Sequence, residues 1–315
     1  LKNYHLYIIY TLVAILFGVA FHLHNSKEKS SVDYNEVIIH QSSGEEMKIL
    51  IPEAHARIFA IPEKISFSGE KVPMDLPDVR ERFEREIYVN AYWQSNMILL
   101  MKRANKFLPI IEEILLQNGI PEDFKYLAMV ESGLLNVASP AGARGFWQFM
   151  PETAKENKLE VNDDVDERYH LEKSTLAATR YLKASYGRFG NWTSVAASYN
   201  MGMSGLGKRK AAQKMTSYYD LLLNEETSRY LFRILAFKEI FEHPRKYGFQ
   251  LVENDLYRLP NFRELKVTQS IPNLADWALR HNTNYKELKI HNPWLRSSKL
   301  TVANGKEYIL KIPVN

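Results

Sequence analysis

The chain has 315 residues and no cysteine, with 45% hydrophobic, 12% aromatic and 25% charged residues and a net charge of +4. These values suit one or two globular domains and exclude a disordered chain, a disulfide framework, a thiolate metal site, a cysteine nucleophile and a lipidated cysteine. The positive charge is too mild to imply nucleic acid and suits a partner with scattered carboxylates.

In chain order, the first element is Leu6 to Leu23 (LYIIYTLVAILFGVAFHL), which carries no formal charge. As a helix it would reach about 27 Å, close to the hydrocarbon thickness of a bilayer. Residues 1–25 are therefore expected to be a transmembrane anchor, or a signal peptide cut after Gly18-Val19-Ala20. Either reading exports the rest of the chain, and the first makes the membrane a partner. Residues 26–77 read as a polar linker and an irregular or partly extended lead-in, broken by Pro52, Pro62, Pro73 and Pro77.

From Asp78 the period becomes helical. Val79, Phe83, Ile87 and Ala91 recur at four-residue steps, and the pattern runs on through Ile98 and Met101. Lys106 to Gln117 continues it and stops at Asn118-Gly119. A third helix opens at Pro121, with Glu122 and Asp123 suited to its positive end. Further helices are expected at Leu171–Tyr186, Asn191–Tyr199, Gly207–Lys214 and Glu225–Glu242. After Phe262 the texture changes to strand, helix, helix, strand, with a turn at Asn304-Gly305. The chain is thus mainly α, with a helical body over 78–250 and a small α+β module over 262–315.

The third helix carries a chemical signal. Phe124, Leu127 and Ala128 form an apolar stripe, and Glu131 lies only about 20° from it around the helix. A carboxyl on a buried stripe is pushed toward its protonated form, the condition for a general acid near neutrality. The plainer alternative is a helix-end glutamate that turns to solvent. Beyond it, the run from Ser139 to Gly145 (SPAGARG) reads as a tight glycine loop that lets backbone approach a ligand. It leads into Phe146-Trp147-Gln148-Phe149-Met150. Trp147, Phe149 and Met150 could act as apolar platforms, although each aromatic taken singly is expected in the core. Gln148 brings a donor and an acceptor, and amides with aromatics suit sugars better than phosphates.

Glu131-Ser132, GARGFWQFMP, Tyr199-Asn200 and Glu226-Thr227-x-x-Tyr230 together resemble the ordered motifs of the soluble-lytic-transglycosylase family. Within it they are most similar to the membrane-bound murein transglycosylase D branch, over roughly Asp78 to Phe249. The resemblance implies a lysozyme-like helical catalytic domain in the bacterial cell envelope, facing the periplasm or cell wall. It further implies cleavage of the β-1,4 bond between N-acetylmuramic acid and N-acetylglucosamine without water, leaving a 1,6-anhydro ring. On this likeness Glu131 is the single acid/base. Ser139, Gln148 and Met150 would border the scissile bond, and Ser132, Tyr199, Asn200 and Tyr230 would hold the substrate. Two departures stand out. Ser198 occupies the place where alanine is usual, and the stretch from Glu131 to Ser139 is one residue short.

Two-carboxylate glycosidases pair an acid with a base or nucleophile. The acidic run Asp163, Asp164, Asp166 and Glu167 reads as a solvated turn, so no second carboxylate is evident beside Glu131. One carboxyl suffices if the substrate's 2-acetamido oxygen stabilises the developing cation. Glu131 would protonate the leaving oxygen, then take the proton of the C6 hydroxyl as it attacks. Tyr199 and Tyr230 are the candidates for excluding water. One rival is a hydrolytic muramidase on the same fold, with Asp166 or Glu226 activating water. Another is a non-catalytic scaffold that binds glycan strands.

Other signals are weaker. Gly202 to Lys208 (GMSGLGK) has the start of a phosphate loop, but Arg209 stands where Ser or Thr would hold magnesium. It reads as a glycine-rich connection, and no nucleotide is expected. The histidines lack metal spacing, so neither metal nor cofactor is expected. Residues Phe262 to Pro313 resemble a degenerate LysM domain, a peptidoglycan-binding fold, through Asn284-Tyr285-x-Glu287-Leu288, Asn292-Pro293 and Ile309-x-Lys311-Ile312-Pro313. Ser270-Ile271-Pro272-Asn273 replaces the usual glycine-aspartate, which leaves open a sugar-binding module or a remnant packed on the catalytic body.

Overall fold

The structure, a computed structural model, describes residues 34–40 and 46–52 as backbone strands and residues 57–314 in full. The apolar segment Leu6–Leu23 and its flanking linker lie outside the described residues. Among the described residues no helix is long and apolar enough to cross a membrane. The chain forms two units, Leu1–Ile58 and Phe59–Asn315.

The first unit contributes an antiparallel hairpin, β1 (Tyr34–His40) and β2 (Glu46–Pro52), in register from Tyr34↔Pro52 to His40↔Glu46. The lead-in is therefore more regular than the prolines suggest, and β-branched runs such as Val37-Ile38-Ile39 favour it.

The second unit opens with a tiny hairpin, β3 (Ser66–Phe67) and β4 (Glu70–Lys71), turning at Ser68-Gly69, both at positive φ. Its Glu70 carboxylate accepts the Trp192 and Thr193 amides at 2.5 and 2.9 Å. That caps the first turn of a helix more than a hundred residues away, where orphan N–H groups need acceptors.

Helices α1 (Pro77–Tyr92) and α2 (Gln94–Gln117) follow, broken at Trp93, whose ψ of 59° ends the regular bonding. The break shifts the helical phase. Val79, Phe83, Ile87 and Ala91 are buried as expected, but Met97, not Ile98, begins the buried face of α2, and Ile98 stays exposed. Then come α3 (Phe124–Ser132), α4 (Pro151–Glu156), α5 (Leu171–Phe189), α6 (Trp192–Met201), α7 (Met203–Gln213) and α8 (Glu225–Glu242). Two corrections concern boundaries. Pro121–Asp123 form a turn ahead of α3, and α7 begins at Met203, so the expected glycine-rich connection is mostly helix. Gly202 alone, at φ 80°, breaks α6 from α7.

Helix α8 is the axis of the body. Tyr230, Leu231, Phe232, Ile234, Leu235, Ala236, Phe237 and Ile240 are all buried, covering nearly every side, as in a core helix. It packs on α1, α3 and α6. Glu86 of α1, wholly buried, ties to it through the Arg229 Nε at 2.6 Å.

The C-terminal module has the expected order: β5 (Phe262–Val267), α9 (Leu274–Arg280), α10 (Tyr285–His291) and β6 (Tyr308–Pro313). β5 and β6 pair antiparallel from Phe262↔Pro313 to Val267↔Tyr308, and Tyr308, Leu310 and Ile312 alternate inward from β6. Its small core also takes in Val165 and Tyr169 of the helical body.

The acidic run is a solvated turn only at Asp163, which is exposed. Asp166 and Glu167 are buried, and Asp166 forms a two-pronged pair with Arg168, Nε–Oδ1 at 2.9 Å and Nη2–Oδ2 at 2.7 Å. Asp164 holds Ser297 and Thr301 of the module. Spacing along the chain showed clustered charge; Arg168 and Lys173, close by in sequence, pair with Asp166 and Glu167, whereas the hydroxyls that bond Asp164 come from the distant module.

Candidate active site

Glu131 lies in the last turn of α3. Gly133, at φ 59°, ends that helix with its N–H donating to the Met129 carbonyl at 2.8 Å. The apolar stripe buries Phe124, Leu127 and Ala128, and leaves Glu131 half-buried at its end. Burial pushes the Glu131 carboxyl up, the Tyr230 hydrogen bond pulls it down, the Glu226 charge pushes it up and the Arg233 charge pulls it down. The balance is about 7. The expectation of a proton-holding carboxyl at this position therefore agrees with its surroundings.

Tyr230, buried on α8, donates its hydroxyl to Glu131 Oε1 in a short hydrogen bond. Burial and the neighbouring Glu131 carboxyl raise the Tyr230 phenol well above its ordinary value, so it remains a donor. Glu226, Tyr230 and Arg233 follow i, i+4, i+7 spacing and so share one face of α8. Arg233 was not among the residues singled out from the sequence, and this spacing was the signal that could have found it. Its guanidinium also stands 3.7 Å from Glu86 Oε2, so it lies between two carboxylates.

Tyr199 and Asn200 come from α6. The Tyr199 ring packs on Trp147, Phe149 and Tyr181, and its hydroxyl donates to the Trp147 carbonyl at 2.8 Å. Its phenol too is raised by burial and by the Glu131 charge, which brings it into the same neighbourhood. Asn200 joins α6 to α8: its Nδ2 donates to Glu226 Oε1 at 3.1 Å and its Oδ1 accepts from Thr227 Oγ1 at 2.7 Å.

The loop after α3 is held by its own bonds. Ser139 Oγ accepts the Ala143 amide at 3.0 Å, and the Ser139 amide donates to the Ala143 carbonyl at 2.8 Å. Gln148 sits at φ 47° and its Nε2 donates to the Val137 and Gly145 carbonyls at 3.1 and 2.7 Å. With both amide protons used, its oxygen keeps the capacity to accept. Met150 is exposed and precedes α4 as its cap residue.

Two expectations change at this level. Ser132 is buried, donates to the Ala128 carbonyl at 3.1 Å and accepts the Leu134 amide at 3.1 Å. Its hydroxyl closes the helix end and has no proton left for a ligand. Trp147 and Phe149 are buried, Trp147 donating to Thr175 Oγ1 at 2.9 Å, so of the three apolar platforms Met150 alone faces solvent. The structure thus brings Glu131, Tyr230, Tyr199, Asn200 and Glu226 into one linked group. Ser139 and Gln148 are in the adjoining loop, and Ser132 belongs to the scaffold. Among the described residues no group of three or more histidine, aspartate or glutamate side chains could hold a metal ion.

Residues 109–222 match the family model described as the transglycosylase SLT domain. Over that span the chain is similar to SLT domains. The match spans Glu131, the loop and the Tyr199-Asn200 pair, but stops before Glu226, Tyr230 and Arg233, which the fold brings to the matched region from α8. Residues 263–315 match a second model, the soluble lytic transglycosylase C-terminal LysM-like domain. The chain is 26% identical over 254 residues to membrane-bound lytic murein transglycosylase D of Escherichia coli (strain K12), covering 78% of this chain and 54% of that protein. The protein of the same name from Escherichia coli O6:H1 gives the same figures. The chain accordingly spans about half the length of these relatives.

Proposed function

We propose that the protein is a peptidoglycan lytic transglycosylase, acting through a lysozyme-like body with Glu131 as its one general acid/base. The observation that carries this reading is the Glu131 carboxyl, held at about 7 by burial and bonded to a tyrosine that keeps its own proton. A carboxyl poised there is protonated often enough to donate and basic enough to accept afterwards. In the first step it protonates the glycosidic oxygen between N-acetylmuramic acid and N-acetylglucosamine, while the substrate's acetamido oxygen supports the cation at the anomeric carbon. In the second step Glu131, now a carboxylate, removes the proton of the C6 hydroxyl as that oxygen attacks, forming the 1,6-anhydro ring. Tyr230 steadies the carboxylate between the steps. Tyr199 and Asn200 wall the site, the Gln148 oxygen accepts from the sugar, and Met150 offers an apolar contact. Ser139 shapes the loop.

The SLT and LysM-like matches and the murein-acting relatives support this substrate class and a bacterial envelope location, reached by export of the chain on residues 1–25. Digestion of purified murein followed by muropeptide masses is the test. Anhydro ends are expected, and hydrated ends would replace the mechanism with hydrolysis. One observation favours that second reading: the Glu226 carboxylate is near enough to push Glu131 up and could activate a water. Asp166, the other candidate base, is buried against Arg168 and drops out.

A further inference from the structure

The loop 139–149 turns through three residues at positive φ. Gly142 and Gly145, at 92° and 79°, take such angles freely as glycines, whereas Gln148, at 47°, is strained. A non-glycine residue in that region persists where the surroundings over-determine it. Much of that surrounding is one side chain. Arg168, 4% exposed, donates from Nη1 to the Gly142 carbonyl at 3.0 Å and the Phe149 carbonyl at 3.2 Å, near the two ends of the turn. Backbone packing reinforces it: a Cβ on Gly145 would lie 1.8 Å from the Arg168 carbonyl oxygen, so only glycine admits this approach. Arg144 donates from Nη1 to the Tyr169 hydroxyl at 3.0 Å, adding a second tie from the loop to the same segment.

The segment that carries Arg168 is in turn built into the C-terminal module. Val165 bridges Leu295, the Asp166 amide donates to the Trp294 carbonyl at 2.9 Å, and the Arg296 amide donates to the Asp164 carbonyl at 2.8 Å. Asp164 accepts from Ser297 Oγ at 2.8 Å and from Thr301 Oγ1 at 2.6 Å. The Arg296 guanidinium lies 4.3 Å from the centre of the Tyr169 ring, which is part of the module's core. Module, segment and loop therefore form one continuous set of bonds that reaches Gln148.

We propose that Arg168 is a positioning residue for the loop beside Glu131, and that the C-terminal module holds Arg168 in place, so the module is part of the catalytic unit. The proposal rests on the transglycosylase reading for its kinetic consequence but not for its structural one. A module that only tethered the enzyme to the wall would matter for intact sacculi and not for a short soluble glycan.

The test uses the full chain with Asp164→Ala, which loosens the module's anchor without touching Glu131 or its partners, and the milder Ser297→Ala in case the first folds poorly. On a soluble murein tetrasaccharide, kcat should fall about tenfold for Asp164→Ala with KM nearly unchanged, as when a loop loses its productive geometry. Arg168→Met should lose more, and Arg168→Lys should recover only part, because an ammonium cannot reproduce the planar fork. Hydrogen exchange gives a readout independent of activity. The Arg144 and Gln148 amides, bonded to the Phe149 and Gly145 carbonyls, should exchange about tenfold faster in both module variants, with α8 amides unchanged. Unchanged loop exchange together with an unchanged kcat on the tetrasaccharide, and slower clearing of sacculi alone, would overturn the proposal. If the unaltered chain cleaves no murein, the transglycosylase reading falls, and the exchange data still decide the positioning role in either direction.

Discussion

Two glutamates of the same unit, Glu131 on α3 and Glu172 at the start of α5, respond to burial in opposite ways. For both, loss of water is the largest influence and favours the neutral carboxyl. For Glu131 the Tyr230 hydroxyl and the Arg233 charge offset only part of burial, the like charge of Glu226 adds to it, and the carboxyl rises to about 7. Glu172 is bonded by His170 and by Lys311 of the module, and these overcome burial and hold it at about 2. Burial alone therefore does not make an acid. The partner sets the sign, and a carboxyl offered a hydroxyl becomes a proton carrier where one offered a cation becomes a fastening.

The largest expected effect is on activity. Glu131→Gln keeps the shape and the hydrogen bond acceptor but cannot donate an acidic proton, so murein clearing should fall by about 10²–10⁴-fold. Turbidity loss of a sacculus suspension, with the fold checked by circular dichroism, measures it; retained clearing would assign the chemistry to another group.

Next is the pH dependence of stability. Folded Glu131 holds its proton up to about 7, against an ordinary value of 4.5, so between these pH values the folded state binds more protons than the unfolded one. Stability should fall across that window by about 3 kcal/mol as pH rises. Glu131→Gln removes the titration, so the variant should match the parent near pH 4.5 and exceed it by about that amount at pH 8. Urea melts at the two pH values should show this divergence, and an equal stability difference at both would overturn the assignment.

Glu172 should behave with the opposite sign and less strongly. Its folded carboxyl stays ionised down to about 2, so its contribution is full above 4.5 and disappears as pH falls through that range. After allowance for its partial exposure, Lys311→Met should cost about 1–2 kcal/mol at pH 7 and almost nothing at pH 2. An equal cost at both pH values would mean that lost packing, not charge, is responsible.

The smallest effect concerns tuning. Glu226→Gln removes the like charge that pushes Glu131 up, so the alkaline limb of the rate profile should move to lower pH. Tyr230→Phe removes a bond that pulls Glu131 down, so the limb should move to higher pH. Hydrolytic products that vanish in Glu226→Gln would instead make Glu226 a base.

Much of the architecture was legible along the chain. The period of Val79, Phe83, Ile87 and Ala91, the bounds of α8 and the strand–helix–helix–strand order of the module all follow from local patterns that the fold respects. The break at Trp93 was not legible, because Ile98 is apolar and fits the old phase as well as Met97 fits the new one. The early start of α7 was hidden by Gly205 and Gly207, poor helix formers that the helix tolerates. One of them faces the Arg188 guanidinium, where a Cβ would come within 2.8 Å of Nη2. At the site, Glu131 was visible because a charge on an apolar stripe is a local anomaly. Ser132 was misread because two backbone groups of its own helix end consume its hydroxyl.

The absence of cysteine and the mild charge narrowed the chemistry before any fold was known, and the stripe from Phe124 to Glu131 marked the carboxyl that carries the proposed reaction. Those are properties of neighbours along the chain, where a period of 3.6 is enough to see them. The approach of Tyr230, Glu226 and Arg233 to Glu131, and of Arg168 to the loop, depends on segments far apart in sequence. Only packing around α8 and against the C-terminal module brings them together. The same packing turned the acidic run 163–167 from an apparent solvated turn into the joint between body and module.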